Sequence, residues 1–142
     1  MKKYSSDWNA SKKPGKQRKY RYNAPLHKRR KLLSVTLSDE LRKKYNTRNF
    51  PVRLGDKVKI LRGDYKGKQG TVKTVDLKKL KVAINGIEKT KRDGTKVFPF
   101  IQPSNLMIID LKIDDKLRQS ALDRKKEPKK ETKEKKDAKK TP

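Results

Sequence analysis

The sequence contains no cysteine. It can form neither a disulfide nor a thiolate zinc site. Its single histidine, His27, has no second histidine or cysteine at ligand spacing, so no metal site is expected. No apolar run approaches the roughly 18 residues of a membrane-spanning helix. The first residues lack the apolar stretch of a secretory signal. These absences fit an intracellular protein. Hydrophobic residues are 30% of the 142 positions, too few to bury the whole chain in one core. Acids are also scarce: 16 face 43 lysines and arginines, leaving a net charge of +27. Such a field opposes an isolated compact state and attracts polyanions. With few carboxylates, no thiol and one imidazole in a basic tail, no catalytic constellation is found. The expectation is one small domain with long polar extensions, and not an enzyme.

The charge is uneven. Residues 1–49 carry 16 basic and 3 acidic side chains, residues 50–112 carry 15 and 6, and residues 113–142 carry 12 and 7. The first segment is nearly pure cation. The last mixes signs, which keeps a tail solvated.

The apolar alternation is concentrated in Gly55–Asn85. Val58 and Ile60 alternate with Lys57 and Lys59, Val72 with Thr71 and Lys73, and Val82 and Ile84 repeat the pattern. A period of two places apolar side chains on one face of a strand. Strands are predicted near residues 56–61, 70–75 and 79–84. Between the first two lie Gly63, Gly67 and Gly70, read as structural turn residues. Arg62, Tyr65, Lys66 and Lys68 line the same loop, three cations and an aromatic suited to gripping a phosphate backbone. Gly63-Asp64-Tyr65-Lys66-Gly67-Lys68 is superficially similar to a nucleotide-binding loop. Gln69 follows Lys68 where such a loop has Ser or Thr, and the segment joins two strands, so nucleotide hydrolysis is not expected.

This stretch resembles the KOW motif, a strand-loop-strand unit of ribosomal and transcription-elongation proteins. The matching residues are Gly55-Asp56, Val58 and Ile60, the run from Gly63 to Gly70, and Val72 and Val75. The flanks Leu37–Tyr45, Asp93-Gly94-Thr95 and Pro103–Ile108 narrow the resemblance. Together they are similar to the universal large-subunit ribosomal protein twenty-four family, in its archaeal and eukaryotic branch, over roughly residues 20–118. The resemblance implies a structural constituent of the large subunit that binds large-subunit rRNA, toward its 5′ region. It further implies a role in early assembly, neighbouring ribosomal proteins as partners, and a position near the nascent-chain exit. The implied location is the cytoplasmic ribosome, with nucleolar assembly if the source is eukaryotic. Neither a cofactor nor a small-molecule substrate is implied. The alternative is a KOW-type elongation regulator on RNA polymerase. Such regulators usually carry a folded domain before the KOW unit, and here the preceding residues are basic and apolar-poor.

Four regions are expected: a basic RNA-binding extension over 1–35, a short helix and linker over 36–49, an SH3-like barrel over 50–112, and a C-terminal helix with a charged low-complexity tail over 113–142. The fold class is mainly β. In the extension, Lys12, Lys13, Lys16, Arg18, Lys19 and Arg21 interleave with Tyr20 and Tyr22. Cations neutralise phosphates, while Tyr20, Tyr22 and Trp8 offer rings to bases or sugars. In isolation this segment is expected to be disordered. His27, Lys28, Arg29, Arg30 and Lys31 extend the RNA-binding set, although a nuclear-localisation cluster is a competing reading. Ser38 is predicted to cap a short helix. Asn85-Gly86 is a two-residue hairpin signal. Arg92-Asp93-Gly94 marks a second hairpin, whose Lys89, Lys91, Arg92 and Lys96 suggest a basic finger reaching into a partner, with Lys89, Lys91 and Arg92 expected to contact RNA. Charges that protect an edge hairpin from aggregation are the plainer reading. Phe98 and Phe100 are expected to return to the core. Leu106–Leu111 supplies a closing strand, and Asp114-Asp115 opens a last helix ended by Pro128. The tail from Lys129 is expected to be mobile.

Overall fold

The computed structural model describes Tyr4 and residues 11–126. Trp8, Pro128 and the tail from Lys129 lie outside the described residues. Four helices and nine strands are assigned within them. Two helices, α1 (Pro14–Asn23) and α2 (Leu26–Leu32), precede strand β1 (Ser34–Leu37). The extension therefore holds helices where no regular structure is expected from its composition. Pro14 at the first helical turn and the good helix formers Gln17, Arg18 and Lys19 account for α1. Neither helix has a buried residue.

Helix α3 (Asp39–Tyr45) begins at Ser38, whose hydroxyl accepts from the Leu41 amide at 3.4 Å. Asp39 and Glu40 sit at its positive end, and Arg42, Lys43 and Lys44 at its negative end. Asn46 ends it in the left-handed conformation. Strand β2 (Asn49–Pro51) pairs back onto β1. Then come β3 (Lys57–Ile60), β4 (Gln69–Asp76) and β5 (Lys81–Ile84), close to the strands the alternation predicts. The hairpin β6 (Lys89–Thr90) and β7 (Lys96–Val97) follows, with β8 (Phe100–Ile101), a 3-10 turn at Pro103–Asn105 and β9 (Leu106–Asp110). Helix α4 (Lys116–Lys126) closes the described chain.

Seven strands form one sheet in the order β2-β1-β9-β3-β4-β5-β8, with β6-β7 separate. A register shift between Val72 and Thr74 marks where β4 passes from one half of this sheet to the other. Val35, Leu37, Val58, Ile60, Val82, Ile84, Leu106 and Ile108 are buried on its inner face. The result is a small β-barrel-like domain with helices. β1 pairs in parallel with β9, an arrangement with no local signal in the sequence.

The expected boundaries at residues 50 and 112 cut across this core. Leu33, Val35, Leu37 and Tyr45 lie before the first, and Leu122 after the second, all in the same buried cluster. Asn85-Gly86 does turn the chain, with Gly86 at φ +82°. It does not close a hairpin, because β5 pairs with β4 and β8 and leaves β6 to pair with β7. Phe98 and Phe100 also depart from expectation. Phe98 is half-buried beneath the Lys73 ammonium, 3.5 Å from its ring centre, and Phe100 is exposed beside Lys79. β8 is a short edge strand, and the core is already filled by β5 and β9.

One polar pair is sealed inside. Asp56 and Arg118 are fully buried and joined twice at 2.7 Å. Asp56 also accepts the Arg53 amide at 2.9 Å and the Lys112 amide at 3.1 Å. Arg118 donates to the Lys112 carbonyl at 2.9 Å and lies over the Phe50 ring. The pair ties α4 to the entrance of β3. Burying a charge is tolerated because its oxygens are saturated in this way.

Candidate nucleic-acid interface

The β3–β4 loop is built by backbone bonds. The Gly67 amide donates to the Ile60 carbonyl at 2.8 Å, and the Lys66 amide to the Gly63 carbonyl at 3.0 Å. Gly63 and Gly67 have φ of +94° and +86°, values that disfavour a side chain. Gly70 is different. It lies within β4, has no positive φ, and pairs with Val58. A Cβ there would meet the Asn85 carbonyl oxygen at 2.3 Å and the Ile84 methyl at 2.6 Å. Gly70 is thus a close-approach residue and not a turn residue. Arg62, Lys66 and Lys68 are exposed. Tyr65 packs half-buried against the core, with the Lys68 ammonium 5.5 Å from its ring centre. Its ring face is therefore partly committed within the protein.

The arm supplies the second surface. Lys12, Lys13, Lys16, Arg18, Lys19, Arg21 and Tyr22 are exposed on or just before α1, and His27, Arg30 and Lys31 on α2. Lys28 and Arg29 are half-buried. Arg29 is spent on structure: its guanidinium donates to the Ala24 carbonyl at 2.9 Å and to the Tyr22 carbonyl, fixing the end of α1 against α2. Tyr20 packs against Tyr4 with the rings tilted by 40° and 4.9 Å between centres, and their hydroxyls share a hydrogen bond. That bond, with desolvation and the second phenol, pushes the Tyr4 hydroxyl up to about 12. Tyr20 is consequently less available than Tyr22, which is 77% exposed.

The arm and the barrel enclose a cleft of about 880 Å³. Arg18, Arg21, Tyr22, Arg29 and Leu32 come from the arm helices, Lys78, Lys79 and Leu80 from the β4–β5 turn, and Ser34, Gln102, Pro103 and Ser104 complete the lining. Sequence reasoning misses Lys78 and Lys79 as candidates for this surface. The available signal is Asp76, whose carboxylate accepts the Lys78 and Lys79 amides at 2.8 and 2.9 Å and sets the turn. The Lys79 amide above all holds that carboxyl below its ordinary 3.8. Leu80, at φ +55°, completes the reversal. Among the described residues, no acidic side chain lines the cleft.

The third surface is the β6–β7 hairpin. Lys89, Lys91 and Arg92 are exposed there, and Lys96 pairs with Glu88 at 3.4 Å. Among the described residues, the cations of the arm, the β3–β4 loop and the β4–β5 turn have no carboxylate within ion-pairing distance. Apart from Lys96–Glu88, the ion pairs among the described residues lie around α3, the entrance of β3, β9 and α4. No group of histidines and carboxylates among the described residues is arranged to hold a metal ion.

A small, fully packed sheet with unneutralised cations on separate protrusions is a polyanion-binding scaffold. Over residues 11–125 the chain matches the family of eukaryotic ribosomal proteins L26 and their archaeal counterparts, and it belongs to that family. The family is one of ribosomal structural proteins and not of enzymes. The chain is 50% identical over 115 residues to the large ribosomal subunit protein uL24 of Methanosphaera stadtmanae, covering 81% of this chain and 98% of that one. It is 49% identical to the protein of the same name from Korarchaeum cryptofilum, across 81% of this chain and 88% of the relative. The Methanoculleus marisnigri protein of that name is 51% identical across 79% and 93%.

Proposed function

We propose that this chain is a structural constituent of the large ribosomal subunit that binds large-subunit rRNA and supports early subunit assembly. The observation that carries the proposal is half-identity to proteins of that name across nearly their whole length. The cation placement supports rRNA as the ligand. Phosphates neutralised by the arm, the β3–β4 loop and the basic hairpin would hold separate RNA segments against one rigid sheet. Neighbouring ribosomal proteins complete the environment, near the nascent-chain exit of the cytoplasmic ribosome, with nucleolar assembly if the source is eukaryotic. An elongation regulator on RNA polymerase draws no support from the family match.

Sedimentation of the endogenous protein tests this reading. It is expected in large-subunit fractions and in their early precursors. Recovery with RNA polymerase or chromatin instead would overturn it.

A further inference from the structure

We infer that the cleft between the arm helices and the β4–β5 turn takes an unpaired RNA strand, with one base stacked on Tyr22. The inference rests on the proposed rRNA-binding function and specifies the ligand of one surface. Two chemistries meet in this cleft. Arg18, Arg21, Lys78 and Lys79 supply positive charge from both sides, and no acid among the described residues interrupts it. The cleft also offers apolar surface. Tyr22 is 77% exposed and Leu32 40%, half-buried Leu80 lines the cleft with them, and Ser34, Gln102 and Ser104 add neutral polar groups.

A duplex uses only the first chemistry. Its bases are stacked inside, and it presents phosphates and sugars on a convex face. Such a ligand would leave Tyr22 and Leu32 in contact with nothing they favour. An unpaired strand uses both, because its phosphates meet the cations while a splayed base lies on the ring. The architecture also keeps the two walls together. Arg29 fastens the Tyr22 and Ala24 carbonyls, so the ring is presented from a braced helix end. Asp76 fastens the turn that carries Lys78 and Lys79. An acidic peptide would satisfy the charge but has no flat ring of its own at every residue.

The test measures affinity of the full chain for three probes of matched charge: a single-stranded RNA of about eight nucleotides, an RNA duplex, and polyglutamate. The parent, Tyr22→Ala, Tyr22→Trp and the double variant Lys78→Glu/Lys79→Glu are compared. Tyr22→Ala is expected to weaken single-strand binding by roughly 5- to 150-fold, the range for losing one base–aromatic stack. Duplex binding should change less than about twofold, and the salt slope should not move, since tyrosine releases no counterions. Tyr22→Trp should restore the affinity. The double variant should weaken single-strand binding and flatten the slope. Equal losses on single strand and duplex with Tyr22→Ala, no loss on either, or binding of polyglutamate as tight as RNA would each overturn the inference while leaving RNA or polyanion binding elsewhere intact. Failure of the parent to bind any RNA in a salt-dependent way would overturn the rRNA reading as well.

Discussion

The sheet and the arm are held by different means. In the sheet, eight aliphatic side chains from four strands are essentially inaccessible, and a buried ion pair locks the last helix over the entrance to β3. In the arm, neither α1 nor α2 buries a side chain. Helix α1 has no side-chain cap and no acid in its first turn, and the cations Lys12, Lys13 and Lys16 crowd its positive end. Cations there oppose the helix dipole and repel one another. The arm is therefore built at a local electrostatic cost that a polyanion would reverse. On the proposed function, stability belongs to the sheet and RNA affinity to the cationic arm and loops, and substitutions should separate them.

The largest effect should come from cutting through the shared core. A segment of residues 50–112 lacks β1, Leu33, Leu122 and Arg118, and leaves Asp56 buried without its cation. It is expected to give a collapsed amide NMR spectrum, whereas residues 33–126 should give a dispersed one. Next comes the pair itself. Asp56→Ala strands the Arg118 guanidinium in the core and should cost about 3–5 kcal/mol in denaturant unfolding. Gly70→Ala should follow at about 1–3 kcal/mol, because its Cβ collides with the Asn85 carbonyl. Gly67→Ala has open space around it and should cost about 1–2 kcal/mol through its positive φ alone.

Acid should loosen the attachment of α4 in a smaller way. Arg53, 2.5 Å from Asp115, together with the Leu117 amide, holds the Asp115 carboxyl below its ordinary 3.8. A depressed carboxyl contributes stability that is full above its unfolded value and fades as pH falls through its folded value. Stability, measured by denaturant unfolding from pH 5 downward, should therefore fall below about pH 4, and Asp115→Asn should blunt that loss.

The smallest effects on stability belong to the binding surfaces. Removing residues 1–32, or replacing Lys66 or Lys68 by Ala, should shift unfolding by less than about 1 kcal/mol. On RNA the ranking inverts. Each lysine lost should flatten the log–log salt slope by roughly one, and loss of the arm should flatten it by several. A parent slope shallower than about −3 would mean that few phosphates are contacted and would erase the contrast between the two regions.

The sheet was legible where the alternation was unbroken. Val58/Ile60, Val72/Val75, Val82/Ile84 and the Leu106–Ile108 run all became strands, and Ser38 with Asp39 and Glu40 marked the helix start. Strand β1 escaped because its parallel partner β9 lies far along the chain, with no turn signal to join the two. Composition cannot report such a pairing. Asp56 and Arg118, 62 positions apart, escaped for the same reason. Phe100 misled because an aromatic in a strand pattern is ordinarily core, while β8 is an edge. In the binding surfaces, charge revealed which segments are cationic. It did not reveal that Arg29 is occupied by carbonyls, that Tyr65 leans on the core, or that Lys78 and Lys79 face the arm.

The position of β9 between β1 and β3 has a temporal consequence. The strand made last among the nine is the one that bridges the first to the third. During synthesis β1 has only its short neighbour β2 until residue 110 has emerged, and Asp56 waits until residue 118 for its cation. Closure of such a long-range arrangement is slow and comes as one late event. The cationic arm helices have been made long before that point. The order of the strands thus lets the arm meet a polyanion before the domain behind it has finished folding.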